Sequence, residues 1–198
     1  MTSRFRVPAE RWIHQEEIKR SKFIAWLFPC PDHASFQKTL AEARSEHPQA
    51  THHCFGFLIG PPGSTAQIGM SDDGEPSGTA GKPILQVLKH CGLGNIGAIV
   101  IRYYGGTKLG TGGLVRAYAL AVQNGLLDLP THEQVSRTEI QVSPGYPQLE
   151  RLQKALTQFE AVVLEDAYSD TVRLTLALPG DRVAEFKTFC EQFRIACE

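Results

Sequence analysis

The alternation of apolar and polar positions in the first half of the chain predicts a mixture of strands and helices. A hairpin is predicted over residues 12–28, with its turn near Lys19, and Asp32 is placed to cap a helix that runs to about His47. Further strands are predicted at residues 53–59, 66–70 and 96–104, and further helices at residues 83–91 and 114–127. The strand at 96–104 is almost entirely apolar, which indicates a buried strand.

The second half of the chain has a more regular order. Alternation at residues 138–142, 161–164 and 171–178 predicts three strands, and residues 194–197 are assigned to a short last strand. Apolar residues at helical spacing predict one helix over residues 149–159 and another over residues 183–193. The resulting order, β-α-β-β-α-β, is that of a ferredoxin-like domain.

Glycine is distributed unevenly, and this divides the chain into two domains. Of the 18 glycines, 16 lie between Gly56 and Gly125. The polar segment at residues 128–134 contains Pro130 and predicts a linker. We therefore predict an α/β domain over residues 1–130 and a ferredoxin-like α+β domain over residues 137–198.

Composition excludes several classes of protein. With 20 basic and 21 acidic residues the net charge is −1, so bulk positive charge cannot drive nucleic-acid binding, although a local basic patch can. No apolar run reaches the roughly 18 residues of a membrane-spanning helix, and residues 1–10 lack the apolar core of a secretory signal. The five cysteines include no CxxC pair, which is typical of reduced thiols in a cytoplasmic protein.

Residues 71–83 form the first loop that could carry chemistry. Its candidate binding residues precede a helix, whose N-terminus favours phosphate: Asp72, Asp73, Gly74, Glu75, Gly78, Thr79, Gly81 and Lys82. The loop is not a Walker A motif, because Pro76 and Pro83 stand where that motif needs a glycine and a serine or threonine. Two alternatives remain open: the acidic residues cap N–H groups within the loop, or they hold Mg²⁺.

The second such loop lies within residues 99–118, where a buried strand runs into a segment with five glycines and then into a helix. Its candidate binding residues are Arg102, Tyr103, Tyr104, Gly105, Gly106, Lys108, Gly110, Gly112, Gly113 and Arg116. We expect Lys82, Lys108 and Arg116 to contact phosphate oxygens together with the glycine amides, and Tyr103 or Tyr104 to stack on a base. The alternatives are that the glycines only permit tight packing, and that Arg102 is buried and paired with Asp72 or Asp73.

Three other motifs are set aside. Residues 92–97 match G-x-G-x-x-G but follow a helix and precede a strand, the reverse of the dinucleotide-binding order. His52, His53 and Cys54 are neighbours on a strand and point to alternate faces, so they cannot hold one metal, and we expect His53 or Cys54 in the core. No serine elbow and no cysteine–base pair is evident. We therefore assign no catalytic residue, metal ligand or cofactor.

The residues of the two loops carry a resemblance to a known family. It resembles the YigZ/IMPACT family at EIKRSKFI (17–24), His53-Cys54, DDGEPSGTAGKP (72–83) and RYYGGTKLGTGGLVRAY (102–118). The resemblance implies an N-terminal α/β fold shared with a ribosomal small-subunit protein, elongation factor G domain IV and the GHMP kinases. It also implies a C-terminal domain like elongation factor G domain V, and a link to the regulation of translation.

These observations lead to one functional hypothesis and two rivals. We expect a protein that binds RNA or the ribosome through its glycine-rich, basic N-terminal surface, with a phosphate-type anion at the glycine loop and no membrane partner. The first rival is an enzyme that binds a phosphorylated ligand and holds a metal at residues 72–75. The second rival is a protein–protein module in translation control that performs no chemistry.

Overall fold

The computed structural model describes residues 4–169 and 172–198, which form two compact units. One unit comprises residues 5–133, and the other comprises residues 134–198 with Arg4. The boundary falls between Glu133 and Gln134, inside the interval 131–136 that the sequence left between its two predicted domains. The predicted strand at 171–178 begins outside the described residues, and its described part is β10.

The first unit is built on a five-stranded sheet with the order β2-β3-β6-β4-β5, in which all neighbouring strands are antiparallel. Its strands are β2 (Trp12–Ile18), β3 (Ser21–Pro29), β4 (His52–Ile59), β5 (Gln67–Ser71) and β6 (Ile96–Tyr103), and its helices are α1 (His33–Glu46), α2 (Gly81–His90) and α3 (Thr111–Leu127). The predicted hairpin, the three further strands and the three helices are therefore all present.

Helices cover both faces of this sheet. On one face, α2 and α3 pack against alternate strand residues such as Phe23 and Val100, and on the other face α1 packs against Trp26 and Ile99. Strand β6 lies in the middle of the sheet, so both of its faces are buried. This position explains its nearly continuous apolar sequence.

Helix α3 begins at Thr111, three residues before the position predicted from the apolar pattern. Glycine is a poor helix former, and the first turn carries no apolar stripe, so Gly112 and Gly113 hide the start of the helix in the sequence. The difference matters for the site, because it places these two glycines inside the first helical turn and not in the loop.

The predicted linker at residues 128–134 is wrong in part. Strand β7 (Thr131–Val135) pairs with β1 (Arg4–Pro8) in a two-stranded sheet, and the amide of Ala9 donates to the carbonyl oxygen of Pro130 at 2.8 Å. The polar pattern concealed both strands, because each has only five residues and the two are far apart in sequence.

The second unit has the predicted ferredoxin-like order. Its elements are β8 (Arg137–Ser143), α4 (Tyr146–Gln158), β9 (Val162–Tyr168), β10 (Val172–Pro179), α5 (Val183–Gln192) and β11 (Ala196–Cys197), with the sheet order β11-β8-β10-β9. Residues such as Val142, Leu176 and Phe186 form its separate core. In the part of the chain that the structure describes, no helix is long and apolar enough to cross a membrane.

Candidate functional site

The two loops singled out from the sequence meet in space. Glu75 and Pro76 of the first loop and residues 108–111 of the second line one cleft of about 450 Å³, together with Arg102, Tyr104 and Leu114. The chain brings them together because β4 and β6 are neighbours in the sheet, β5 next to β4 leads into the first loop, and β6 leads into the second.

The first loop is closed by its own Asp72. The carboxylate of Asp72 accepts hydrogen bonds from the amides of Gly78 at 2.8 Å, Ala80 at 2.9 Å and Gly81 at 2.8 Å. Gly81 also lies so close to Ser71 that an added Cβ would be 2.8 Å from its backbone. The amides of Gly78 and Gly81 therefore point inward to a protein acceptor. For Asp72, the alternative in which acidic residues cap N–H groups within the loop is correct.

Asp73 and Thr79 are also engaged within the protein. The carboxylate of Asp73 accepts from the amide of His53 at 2.7 Å and lies 3.4 Å from Arg44, while the carbonyl of Asp73 is 2.7 Å from His52 Nδ1. The hydroxyl of Thr79 donates to the carbonyl of Pro76 at 2.6 Å. Gly74, which directly follows Asp73, has a φ angle of 88°, which suits glycine.

Glu75 forms a buried ion pair with Arg102 at the junction of the loops. Arg102 Nη1 donates to Glu75 Oε1 at 2.5 Å, and the hydroxyl of Tyr118 donates to the same oxygen at 2.7 Å. The sequence predicted burial of Arg102 as one alternative but named Asp72 or Asp73 as its partner. That pairing is wrong, because Asp72 is occupied by three amides and Asp73 turns toward β4.

These bonds leave the three carboxylates of residues 72–75 with three different sets of partners. Among the described residues, no group of three or more histidine, cysteine, aspartate or glutamate side chains could hold a metal ion. The three carboxylates of the enzyme alternative, Asp72, Asp73 and Glu75, therefore do not converge on one position.

The Cys54 thiol and the His53 imidazole next to this network are both buried, and burial shifts their pKa values. Cys54 is fully buried, its Sγ lies 3.3 Å from the hydroxyl of Tyr118, and burial raises its pKa to about 12. Burial also lowers the pKa of His53 below its ordinary value, against the opposing charge of Asp73. The Cys54 thiol therefore stays protonated at neutral pH, and both side chains belong to the core as expected.

In contrast to the first loop, the second loop keeps its amides free. The amide of Gly105 donates to Ser21 Oγ at 3.3 Å, but in residues 4–169 and 172–198 no protein acceptor lies within hydrogen-bond range of the amides of residues 106–113. The first bond of α3 is from the amide of Leu114 to the carbonyl of Gly110 at 2.9 Å. The first turn of α3 therefore presents unused donors.

Glycine is needed in this loop for two different reasons, which are close packing at one position and a positive φ angle at two others. An added Cβ on Gly105 would lie 1.9 Å from the carbonyl oxygen of Arg20, so Gly105 permits close packing against the β2–β3 turn. An added Cβ on Gly106, Gly110 or Gly112 would meet no protein atom within 4 Å. Gly106 and Gly110 have positive φ angles of 81° and 71°, which suit glycine, whereas Gly112 has neither a close contact nor a positive φ angle.

Exposed cationic side chains line the two clefts next to the free amides. Lys108 is exposed and lines the 450 Å³ cleft, and Arg116 is exposed and lines a neighbouring cleft of about 340 Å³ together with Lys19. Lys82 is exposed in the first turn of α2 and lines neither cleft. Sequence reasoning missed Lys19, which was visible only as part of the predicted turn between β2 and β3.

Of the two tyrosines at the end of β6, one is engaged with the protein and the other is free to stack on a ligand. The hydroxyl of Tyr103 is 2.9 Å from His47 Nδ1, and its ring packs edge-on against the ring of His47. Tyr104 is 48% exposed and lines the cleft. Of the two rings that the sequence offered, Tyr104 is therefore the one that a ligand can reach.

The first unit is thus an α/β domain whose distinctive feature is a row of free amides beside basic side chains at the start of α3. Residues 19–126 match the Impact N-terminal domain, and residues 143–189 match a domain of unknown function. The chain belongs to the IMPACT family.

Similar proteins cover nearly the whole chain. The chain is 41% identical over 187 residues to the IMPACT family member YigZ of Escherichia coli, a match that covers 94% of this chain and 92% of that protein. It is 38% identical over 182 residues to an IMPACT family member of Haemophilus influenzae, and this match covers 92% of this chain and 88% of that protein. A crystal structure of a hypothetical protein, 38% identical, matches with a TM-score of 0.73 and covers 100% of this chain and 97% of that one. These matches confirm the predicted family and fold class.

Proposed function

We propose that this chain is a cytoplasmic, translation-associated protein that binds RNA, free or in the ribosome, through the start of α3. One observation carries the proposal: the amides of residues 106–113 have no protein acceptor in the described chain, and the exposed cations Lys108 and Arg116 line the clefts next to them. Membership of the IMPACT family supports the link to translation.

Phosphate is the anion that this geometry favours. The N-terminus of a helix carries roughly half a positive charge, and its free N–H groups point along the axis toward a bound anion. Helix α3 is 17 residues long, and its first turn carries no acidic residue that would cap these donors from within. Lys108 and Arg116 add two positive charges that a nucleic-acid backbone would neutralise.

The proposal predicts binding that depends on salt and on these two cations. On single-stranded RNA, the logarithm of the association constant should fall with the logarithm of salt concentration, with a slope of about −0.7 per phosphate contact. Lys108→Glu and Arg116→Glu should each weaken binding at low salt by about tenfold and make this slope shallower. Fluorescence anisotropy of a labelled single-stranded RNA measures both quantities.

The matched control is Lys38→Glu, which reverses an exposed charge on α1, on the opposite face of the same sheet. This variant changes the net charge equally and should bind RNA like the unmodified protein. Equal weakening by all three reversals would mean that only net charge matters and would refute a site at α3. If the unmodified protein shows no salt-sensitive association with RNA, the proposal fails, and the protein–protein alternative gains weight.

A further inference from the structure

The cleft beside the free amides has features that phosphate binding alone does not require. We propose that this cleft holds one unstacked nucleobase of a single-stranded RNA, while the phosphate next to that base lies on the first turn of α3. This inference rests on the proposed function and specifies its ligand: a single strand or an unpaired end, and not a duplex.

The walls of the cleft suit a flat, partly apolar group. Tyr104 forms an exposed aromatic wall, and Leu109 and Leu114 provide aliphatic surface. The volume of about 450 Å³ lies within the range of roughly 300–1,000 Å³ that is usual for small-ligand pockets. Stacking on tyrosine accepts any base, because every base has a π face.

One wall of the cleft is formed by a buried arginine. Arg102 is only 5% exposed, and its Nη atoms are bonded to Glu75 and Ser21. The guanidinium is therefore held by protein partners and shapes the cleft, which leaves stacking on Tyr104 as the contact that recognises the base.

The ion pair with Glu75 fixes the guanidinium in this position. Arg102 Cζ lies 5.6 Å from the centre of the Tyr104 ring, so the guanidinium and the stacking wall are neighbours. Glu75 binds the guanidinium, and Tyr118 in turn donates to the same carboxylate oxygen of Glu75. The cleft is therefore organised before any ligand binds, which reduces the entropy that binding would cost.

The cleft and the free amides share residues and can therefore act on one ligand. Gly110 and Thr111 line the cleft and also belong to the row of unused amides at the start of α3. A phosphate bound at these amides would place its own nucleotide beside Tyr104. In a duplex the bases are stacked and paired inside the helix, so only an unpaired base can enter.

The test compares one RNA strand with the duplex that it forms with its complement. Fluorescence anisotropy at fixed salt should show that the unmodified protein binds the single strand at least tenfold more tightly. Tyr104→Ala should weaken binding of the single strand by roughly tenfold, Tyr104→Phe should leave it nearly unchanged, and neither should alter binding of the duplex. Tyr168→Ala is the control, because Tyr168 is similarly exposed in the other unit.

The outcomes separate this inference from the proposed function. If Tyr104→Ala binds the single strand as tightly as the unmodified protein, while Lys108→Glu still weakens binding, the anion site stands and the base pocket is refuted. Equal affinity for strand and duplex would also refute the pocket. If the unmodified protein binds neither RNA, the proposed function fails and the pocket fails with it. Thermal unfolding of each variant checks that Tyr104→Ala acts on binding and not on folding.

Discussion

Replacing Glu75 with alanine is expected to lower the free energy of unfolding of the first unit by about 3–5 kcal/mol. The side chains of Glu75 and Arg102 are only 4% and 6% exposed, and they are joined at 2.5 Å. Removal of the carboxylate leaves the buried guanidinium without its counter-charge and takes the acceptor from the hydroxyl of Tyr118. Both losses are large because neither buried group can replace the lost partner by a hydrogen bond to water.

Tryptophan fluorescence in a urea titration measures this effect selectively, because the only two tryptophans, Trp12 and Trp26, both lie in the first unit. The matched control is Glu42→Ala, which removes an exposed ion pair with Arg11 in the same unit. This control should cost no more than about 1 kcal/mol. A loss for Glu75→Ala as small as that of the control would contradict the view that the pair is buried and organises the junction of the two loops.

The second large effect is expected for Asp72→Ala, which should destabilise the first unit by about 3 kcal/mol. One side chain closes the first loop, since it accepts from the amides of Gly78, Ala80 and Gly81. Asp72→Asn keeps the shape and one acceptor oxygen, so it should lose less. The same urea titration compares the two variants, and equal stability of all three proteins would refute the assigned role.

The contribution of Asp72 should also depend on pH in a defined direction. Partial burial alone would raise the pKa of Asp72, but the bonds from Gly78, Gly81 and Ala80 outweigh it and hold this pKa below its ordinary value. A carboxyl group with a lowered pKa in the folded state stabilises the fold above its unfolded pKa of about 3.9. The difference in stability between the unmodified protein and Asp72→Ala should therefore shrink as the pH falls below about 4.

The sequence predicted most elements whose signal is local. The regular periodicities of the second unit gave its β-α-β-β-α-β order, and the apolar run at 96–104 gave the central strand β6. The start of α3 was misplaced, because Gly112 and Gly113 carry no side chain that a periodicity could reveal. The β1–β7 ribbon was missed, because its strands are short and more than a hundred residues apart.

The candidate site was predicted in composition but not in geometry. Both loops could be named from their glycines and charges, yet the pattern could not say which carboxylate meets Arg102, since that pairing depends on the alignment of β4 and β6. The sequence pattern also could not show which backbone amides face a protein acceptor and which are free. Asp72 satisfies the first loop from within, whereas the first turn of α3 contains no acidic residue that could do the same.

The central claim is that the amides at the start of α3 are free to bind phosphate, and amide NMR spectra recorded during a titration with single-stranded RNA test it most directly. We predict that the amide signals of Gly106, Gly110 and Gly112 shift progressively with RNA, while those of Gly78 and Gly81, which are bonded to Asp72, do not. Saturation of the protein with RNA without any shift at Gly106, Gly110 and Gly112 would contradict the claim.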